Sequence, residues 1–452
     1  IMLKIGLGKV DITPRVGVGL YGYGSYLTRF STGVREPLYA RALAFSDDEQ
    51  TGVIVSCDLV GVSRDVTDRV RELVRVARGA DGVAVCVHCI HTHCGPRTKF
   101  GLGQGMDDAP YREILPHRIA RACTDALAAL TPAGLAHTVV PCVGIGYNRE
   151  DDQRPSYEDA TDENWRPVLP DRTDTEAHVL RFDSLKGELI GFASYFSCHP
   201  VVGSSGTRDI HSDFVGIATN WLEREHPGSI GLFLQGCEGN TNSCFVHHGA
   251  QESLLALDVL AARYARQIRP GIPAAMPIDA TPIRSLQRTV FLSRQPLPRE
   301  ELEGMLAEHE AVLAAPGASD ADPAVRRATV FAIALRRELA RQDAGVPFDD
   351  AVELQGFRVG PLLLLGAPFE IMIRYKQRIQ AAFDTPTLVL SLCNDTLGYA
   401  PERESFAKKG NYAAKVVPYL LGYPPFAPSV EDELVAELTA LGQDLLAGPS
   451  SA

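Results

Sequence analysis

Short apolar segments that end in polar residues recur along this chain, and they constrain its fold more than any other feature. They are rich in Val, Ile and Leu, as is typical of strands that are buried on both faces. The predicted strands are Gly52–Leu59, Val83–Ile90, Leu189–Cys198, Ser229–Leu234, Pro361–Leu365 and Leu388–Leu392. Helical patterns separate several of them, and the predicted helices are Val66–Arg78, Arg112–Leu130 and Leu254–Ile268. This alternation predicts an α/β fold with a mixed or mainly parallel sheet flanked by helices.

Polar residues follow most of these segments directly. They are Asp58, His91 and His93, His199, Glu238 to Asn240, Glu370, Asn394 with Asp395, and Tyr399. Ligands of open α/β sheets bind outside the carboxyl ends of the strands, so these side chains are expected to converge. Histidines and a carboxylate are the usual ligands of catalytic zinc, which keeps one position open for water. The pattern therefore predicts a metal site at the carboxyl ends of the strands.

The segment Val87–Pro96 carries the most specific signal, because an apolar run there ends in two histidines and then in Gly-Pro. Residues two apart in a strand point to the same side. His91 and His93 are therefore predicted to project together from the tip of a buried strand, toward a metal or a substrate. The alternative is a polar strand end that meets solvent.

Several other motifs indicate structure rather than chemistry. The GxGxxG match at Gly17–Gly22 is followed by a loop pattern and not by a helix, which argues against a dinucleotide site. The trio His211-Ser212-Asp213 predicts a helix that Ser212 caps, with Asp213 in its first turn. Cys86 and Cys89 would face opposite sides of a strand, so they are not expected to chelate a metal together.

At 452 residues the chain is long for one core, and we expect one large domain over residues 1–445 with an insertion. Residues 297–341 have two amphipathic helical patterns, the second beginning at Asp322-Pro323 with an N-cap and a proline at the first helical position. They predict an inserted helical hairpin, either a lid or partner surface or a solvated insertion. Residues 446–452 are expected to form a flexible tail.

Composition narrows the classes of partner. The formal net charge of -12 argues against nucleic acid and against docking on anionic membranes. No apolar stretch is long enough to cross a bilayer, and the start lacks the features of a secretory signal. The ten cysteines are scattered, many within apolar runs, as suits a reduced cytosol. We expect a cytoplasmic protein with a small-molecule substrate, and a processed secreted form is the alternative. A homo-oligomer is one of the states of assembly left open.

A series of collinear motifs resembles the catalytic domain of neutral/alkaline non-lysosomal ceramidases. The motifs are Asp11–Pro14, Arg35, Ala40–Ala42, Ser56–Leu59, His91–Pro96, Asn148-Arg149, His199-Pro200, Ser212-Asp213, Glu238–Asn240, Pro368–Glu370 and Asn394–Tyr399. They occur in the correct order and span most of the chain. The His-Thr-His-x-Gly-Pro motif is the specific one, and the others are individually weak.

The resemblance implies one zinc ion per chain and a role for each site residue. His91, His199, Glu370 and Tyr399 are implied as the zinc ligands. His93 would stand beside the metal as a hydrogen-bonding or acid/base group. Arg149 is similar to the family's arginine that binds a substrate oxygen, and with Tyr399 it would stabilise an oxyanion.

The implied function is that of a zinc-dependent hydrolase that cleaves an amide bond in a small or N-acylated substrate with activated water. Asp58 or Asp174 is a guess for the carboxylate that orients a zinc-bound imidazole. The alternatives are a metal-dependent lactonase or esterase for a polar substrate, and a non-catalytic metal-binding scaffold protein.

Two departures from the family favour a smaller, more polar substrate than ceramide. The family has Gly-Asp-x-Ser where this chain has Gly239–Asn242, so both the aspartate and the serine are absent. The family also has a C-terminal immunoglobulin-like domain, and none is expected here.

Overall fold

The fold is that of a computed structural model, which describes residues 2–24, 29–79, 81–99, 101–103, 105–348 and 351–447. In chain order the strands are β1 (Lys4–Asp11), β2 (Gly33–Val34), β3 (Tyr39–Ser46), β4 (Thr51–Cys57), β5 (Val83–Cys89), β6 (Thr131–Pro141), β7 (Gly146–Asn148), β8 (Glu176–Ser184), β9 (Leu189–Phe196), β10 (Asp209–Ile210), β11 (Ile230–Gln235), β12 (Thr241–Ser243), β13 (Met276–Ile278), β14 (Ile283–Phe291), β15 (Ala351–Val359), β16 (Leu362–Gly366), β17 (Glu370–Ile371), β18 (Thr387–Leu390) and β19 (Tyr399–Ala400).

The helices are α1 (Arg64–Arg78), α2 (Ala109–Ala128), α3 (Tyr157–Thr161), α4 (Asp213–Glu225), α5 (Ala250–Ile268), α6 (Gly271–Ala274), α7 (Arg299–Leu313), α8 (Pro323–Asp343), α9 (Ile373–Gln380), α10 (Arg403–Ala407), α11 (Val417–Leu421) and α12 (Val430–Ala447). A short 3-10 turn covers Pro170–Arg172, and one π-helical turn covers Tyr412–Val416. No helix among the described residues is both long enough and apolar enough to span a membrane.

Two sheets organise the chain. The larger has the order β11-β9-β8-β6-β1-β3-β4-β5, and the smaller has the order β14-β15-β16-β18. Most neighbours are antiparallel, but β9 with β11, β4 with β5 and β16 with β18 are parallel pairs. The mixed α/β architecture predicted from the sequence is confirmed.

The two end strands of the larger sheet come close to each other despite their positions in the strand order. The Gln235 amide of β11 donates to His88 Nε2 of β5 at 2.8 Å, and the Ser56 hydroxyl of β4 donates to the Phe233 carbonyl at 2.6 Å. The smaller sheet joins at the same place, because the Val87 amide donates to Asn394 Oδ1 at 2.9 Å. The sheet therefore curls, and the ends of its parallel pairs face one another.

Helices cover the outer surfaces of the two sheets because they bury apolar side chains there. Helix α1 buries Val66, Val70 and Val74, which recur every four residues on one face, and it ends at Gly79 in the left-handed conformation. Between the two sheets, Phe45 and Phe357 pack edge to face with ring centroids 5.3 Å apart. Burying these side chains removes apolar surface from water, which is the main favourable contribution to folding.

The predicted strands and helices are all present, with bounds that differ by a few residues. Asp322 caps α8 and Pro323 begins it, as predicted, and its side chain accepts from the Ala324 amide. Within residues 297–341, α7 packs on α8 and Arg336 pairs with Glu310 at 2.7 Å. The domain boundaries stay a prediction. Residues 446 and 447 end α12, and residues 448–452 of the expected tail lie outside the described residues.

The polar segment 151–174 contains the short helix α3, which begins at a capping box formed by Ser156 and Asp159. One local prediction is wrong. Helix α4 does begin at Asp213, but the Ser212 side chain makes no capping bond. Asp213 has a left-handed φ of 55°. Its carboxylate instead accepts from the backbone amides of Val202, Gly203 and Phe214.

Candidate metal centre

The three parallel strand pairs direct their carboxyl ends to one buried place. His91 follows β5, His199 follows β9, and Glu370 follows β16. His199 Nε2 lies 3.0 Å from Glu370 Oε2, and His91 Nε2 lies 3.4 Å from the same oxygen. We call these three residues the metal centre. The buried groups here that could hold a metal ion are His91 with His93 and His199, and His91 with Glu238 and Glu370.

His91 reaches the centre by a turn and not by strand alternation, which corrects the expected geometry. Strand β5 ends at Cys89, and His91 has a φ of 74°, a left-handed conformation that non-glycine residues rarely adopt. The Ile90 amide donates to the Cys57 carbonyl at 3.0 Å, and the His91 amide donates to the Leu59 carbonyl at 2.9 Å. These bonds to the end of β4 and the loop after it hold the turn, in which the Nε2 atoms of His91 and His93 lie 3.0 Å apart.

Gln235 connects the ends of three strands, and the sequence assigned it no role because it lies just beyond the predicted strand Ser229–Leu234. Its side-chain amide donates to the Ile90 carbonyl at 2.9 Å and to the Cys198 carbonyl at 3.0 Å. Its Oε1 accepts from the Cys198 amide at 3.4 Å. Ile90 and Cys198 immediately precede the two histidines of the centre. A glutamine at the end of an otherwise apolar strand was the available signal.

The hydrogen bonds of the two imidazoles bear on whether the centre could hold a cation. His91 Nδ1 lies 2.7 Å from the Val60 carbonyl, and His199 Nδ1 lies 2.7 Å from the Glu238 carbonyl. A carbonyl oxygen only accepts, so each Nδ1 carries a proton and donates it. A neutral imidazole in this tautomer presents a lone pair at Nε2, here directed at a carboxylate oxygen. Two acceptors at 3.0 Å repel unless a proton or a metal ion lies between them, and these residues therefore fit a metal.

The charges of the metal centre are strongly coupled. Burial disfavours ionisation of both His91 and Glu370, yet their mutual attraction raises the pKa of the imidazole and lowers that of the carboxyl. His199 differs, because burial and the nearby Arg149 guanidinium lower its pKa to about 4. His199 is therefore neutral at pH 7, which is the form that binds a metal.

His93 lies beside the centre. Its Nε2 lies 3.0 Å from His91 Nε2, and within the described part of the chain its Nδ1 has no hydrogen-bond partner. Burial and the neighbouring His91 hold its pKa well below the usual value. Gly22, with a φ of 123°, allows the 17–22 loop to lie against this ring, because a Cβ there would come within 2.7 Å of His93 Nδ1.

Arg149, Tyr399 and Asn242 form the wall of an open space in front of the centre. We call it the outer cleft. It has a volume of about 590 Å³ and is also lined by His93 and His247. Arg149 donates to the Gly239 carbonyl at 2.7 Å and to Asn242 Oδ1 at 3.4 Å. Tyr399 pairs with Glu370 in parallel register through β17 and β19, and its ring lies 5.3 Å from the Arg149 guanidinium carbon.

Glu238 is a buried carboxyl of the centre to which the sequence did not assign a role. It could hold a metal together with His91 and Glu370. Neither of its oxygens has a hydrogen-bond partner of good geometry among the described residues. Burial raises its pKa to about 8, although the nearby His91 acts in the opposite direction. The motif Glu238-Gly239-Asn240 was the available signal.

Neither aspartate orients an imidazole of the centre, so the guess for Asp58 or Asp174 is wrong. Asp58 forms a buried ion pair with Arg41 at 2.8 Å. Asp174 forms a buried ion pair with Lys376 at 2.5 Å and accepts from the Ser197 amide. The backbone carbonyls of Val60 and Glu238 orient the imidazoles instead.

Comparisons with known proteins agree with this architecture. Residues 3–245, about half of the chain, match the family described as neutral/alkaline non-lysosomal ceramidase, N-terminal. The neutral ceramidase of Mycobacterium tuberculosis is 26% identical over 244 residues, 50% of this chain and 37% of that protein. The neutral ceramidase of Pseudomonas aeruginosa is 27% identical over 254 residues, 52% of this chain and 36% of that protein. The matched segments thus cover little more than a third of these relatives.

The similarity of fold extends beyond the similarity of sequence. The crystal structure of neutral ceramidase from Pseudomonas aeruginosa superposes with a TM-score of 0.73 at 20% identity, covering 98% of this chain and 74% of that chain. A structure described as ceramidase complexed with C2 gives a TM-score of 0.72 at 21% identity. The shared fold therefore includes the second half of the chain, which contains Glu370 and Tyr399.

Proposed function

The chain belongs to the neutral/alkaline non-lysosomal ceramidase family, and from this premise we propose that it is a zinc-dependent hydrolase of an amide bond. The single observation that carries the proposal is the contact of His199 Nε2 and His91 Nε2 with one oxygen of Glu370, at 3.0 and 3.4 Å. Three acceptor atoms converge here, and a metal ion between them would make that arrangement stable. His91 and Glu370 also line a small cavity, so a small molecule can reach them. A metal-binding group that a substrate can reach is typical of a hydrolytic site.

In this proposal His91, His199 and Glu370 hold the metal, and Tyr399 completes the set from the adjoining strand β19. When bound, zinc supplies Lewis-acid activation of a water molecule and of the substrate carbonyl. The protein holds the ligands in place before the metal arrives, because the Val60 and Glu238 carbonyls fix both imidazoles in the tautomer that leaves Nε2 available.

His93 is the residue that we assign to proton transfer. It lines the outer cleft and lies beside His91, so a substrate at the centre is within its reach. As a neutral imidazole it can accept a proton from the attacking water and return it to the leaving amine. Amide hydrolysis needs this second transfer, because an unprotonated amine anion is a very poor leaving group.

Arg149 is the residue that we assign to the substrate oxygen. Two of its donors are held by the Gly239 carbonyl and by Asn242 Oδ1, which fixes the guanidinium at the wall of the outer cleft beside Tyr399. A fixed positive charge stabilises negative charge that develops on the carbonyl oxygen in the transition state. Asn242 occupies the position at which the family has serine, so here an amide oxygen orients the arginine.

The test is metal analysis of the purified protein joined to hydrolysis of N-acyl amines, esters and lactones. His91→Ala and His199→Ala should each abolish stoichiometric zinc, and Glu370→Gln should weaken its binding, since each removes one ligand. His211→Ala is the matched control, because His211 is equally buried and lies outside the centre. A full equivalent of zinc in both ligand variants would refute the assignment, and turnover of esters or lactones but not of amides would refute the proposed bond.

A further inference from the structure

A second and smaller space adjoins the metal centre, and His91 and Glu370 line it. We call it the inner cavity. Its volume is about 60 Å³, and its walls include Glu370, Lys99 and the apolar side chains of Val417 and Leu420. His93 and Tyr399 line both the outer cleft and the inner cavity. A substrate whose amide lies at these two residues therefore extends one end into each space.

Lys99 brings a positive charge to the inner cavity, and among the described residues it has no counter-ion at hydrogen-bonding distance. The residue is 9% exposed, and among the described residues its Nζ atom has no hydrogen-bond partner. Burial lowers the pKa of the ammonium to about 8, and the more distant carboxylates of Asp395 and Glu370 act to raise it. The group is thus mostly protonated at pH 7.

Hydrogen bonds at Lys99 and at the neighbouring Thr98 fix the backbone there and so position the Lys99 side chain at the cavity. The Lys99 carbonyl accepts from Arg97 Nε at 3.1 Å, and the neighbouring Thr98 hydroxyl donates to the Gly61 carbonyl at 2.5 Å. An ammonium kept out of water without a partner is energetically unfavourable, and proteins rarely retain one without a compensating interaction.

We propose that Lys99 pairs with a carboxylate of the substrate, so that this site hydrolyses small amides that carry a carboxylate near the scissile bond. The inference rests on the proposed function and names its substrate class. The inner cavity has room for a carboxylate and a short linker but not for a long hydrocarbon chain. One ammonium matches one carboxylate in charge, and the charge-assisted hydrogen bond between them is among the strong ones.

The kinetic test uses pairs of amides that differ only in the carboxylate. Succinyl and butyryl 4-nitroanilide have acyl chains of equal length, and N-acetylglycine with N-ethylacetamide places the charge on the amine side. In at least one pair the charged member should have a kcat/KM higher by at least about tenfold. Lys99→Met should bring the ratio of the two kcat/KM values, charged over uncharged, close to one, mainly by raising the KM of the charged substrate. Lys99→Arg should restore part of this ratio. Lys415→Met is the matched control, since it removes an exposed lysine and should keep the ratio.

A binding test separates this inference from the proposed function. Calorimetry with glutarate on the purified protein should show binding that Lys99→Met weakens by at least about tenfold at unchanged zinc content. Should no amide be hydrolysed, the proposed function fails, and glutarate binding still decides the role of Lys99. Equal glutarate affinity in the wild type and Lys99→Met overturns the inference, as does a charged-substrate preference that survives in the variant or is absent from both pairs.

Discussion

Gln235→Leu is the substitution that most directly tests how the strand ends hold the metal centre. Leucine has a similar volume but no polar atoms, so the Ile90 and Cys198 carbonyls both lose their donor. Ile90 and Cys198 are 1% and 0% exposed, so water cannot replace the lost donor. A buried carbonyl without a donor costs roughly 1–3 kcal/mol, and two of them predict a loss of about 2–6 kcal/mol in the free energy of unfolding.

The same substitution should weaken metal binding. Ile90 precedes His91 and Cys198 precedes His199, so freeing their carbonyls loosens the two imidazoles. Loss of such outer supports typically lowers metal affinity by about 10–100-fold. We expect zinc affinity, measured by competition with a chromophoric chelator, to fall by at least about tenfold.

Urea unfolding of the zinc-free and zinc-loaded protein measures both effects. Gln287→Leu is the matched control, because Gln287 is an exposed residue of β14, and its replacement should change stability by less than about 0.5 kcal/mol. Gln235→Glu keeps the shape but turns an acceptor toward both carbonyls, so it should destabilise at least as much as leucine. If Gln235→Leu costs no more than Gln287→Leu, the hydrogen bonds of Gln235 do not hold the strand ends together and the reasoning fails.

Two further predictions concern buried polar groups away from the centre. Lys376→Met leaves Asp174 buried without its partner at 2.5 Å, so it should lower the free energy of unfolding in urea by about 3–5 kcal/mol. Arg121→Met, which breaks an exposed ion pair, is the control and should lower it by less than about 1 kcal/mol. Equal losses in the two variants would contradict this prediction. Burial lowers the pKa of His88 to about 4 in the native state, below the value of about 6.5 in the unfolded chain. The unfolded chain therefore binds the proton first, and stability should fall by about 1.4 kcal/mol per pH unit between pH 6.5 and 4, a loss that His88→Gln removes. A wild-type minus variant difference that stays flat over this range would argue against a neutral His88.

The candidate site was predictable to the extent that it depends on contiguous residues. His91, His199 and Glu370 each follow an apolar segment. Such a segment predicts a buried strand and its end from neighbouring residues alone. The resemblance to a family then added Tyr399 and Arg149, which no local pattern distinguishes from other polar residues after strands.

Other features depended on residues that are far apart in the chain. The Lys376–Asp174 pair joins residues 202 positions apart, so the aspartate that the sequence offered as an orienting group was already paired elsewhere. Gln235 follows the predicted strand Ser229–Leu234, and its function appears only because the sheet curls and brings β5, β9 and β11 to one place. No pattern along the chain encodes that curvature.

The sequence by itself determined the α/β class, the strands and the residue types at their ends, because the hydrophobic pattern of neighbouring residues decides which segments are buried. Only the tertiary structure decided how those ends meet. Three parallel strand pairs from two sheets converge, a left-handed turn places His91 beside His93, and two carbonyls select the imidazole tautomers. The physical reason is that orientation and hydrogen bonding depend on contacts between distant segments, such as His199 and Glu370, which are separated by 171 residues.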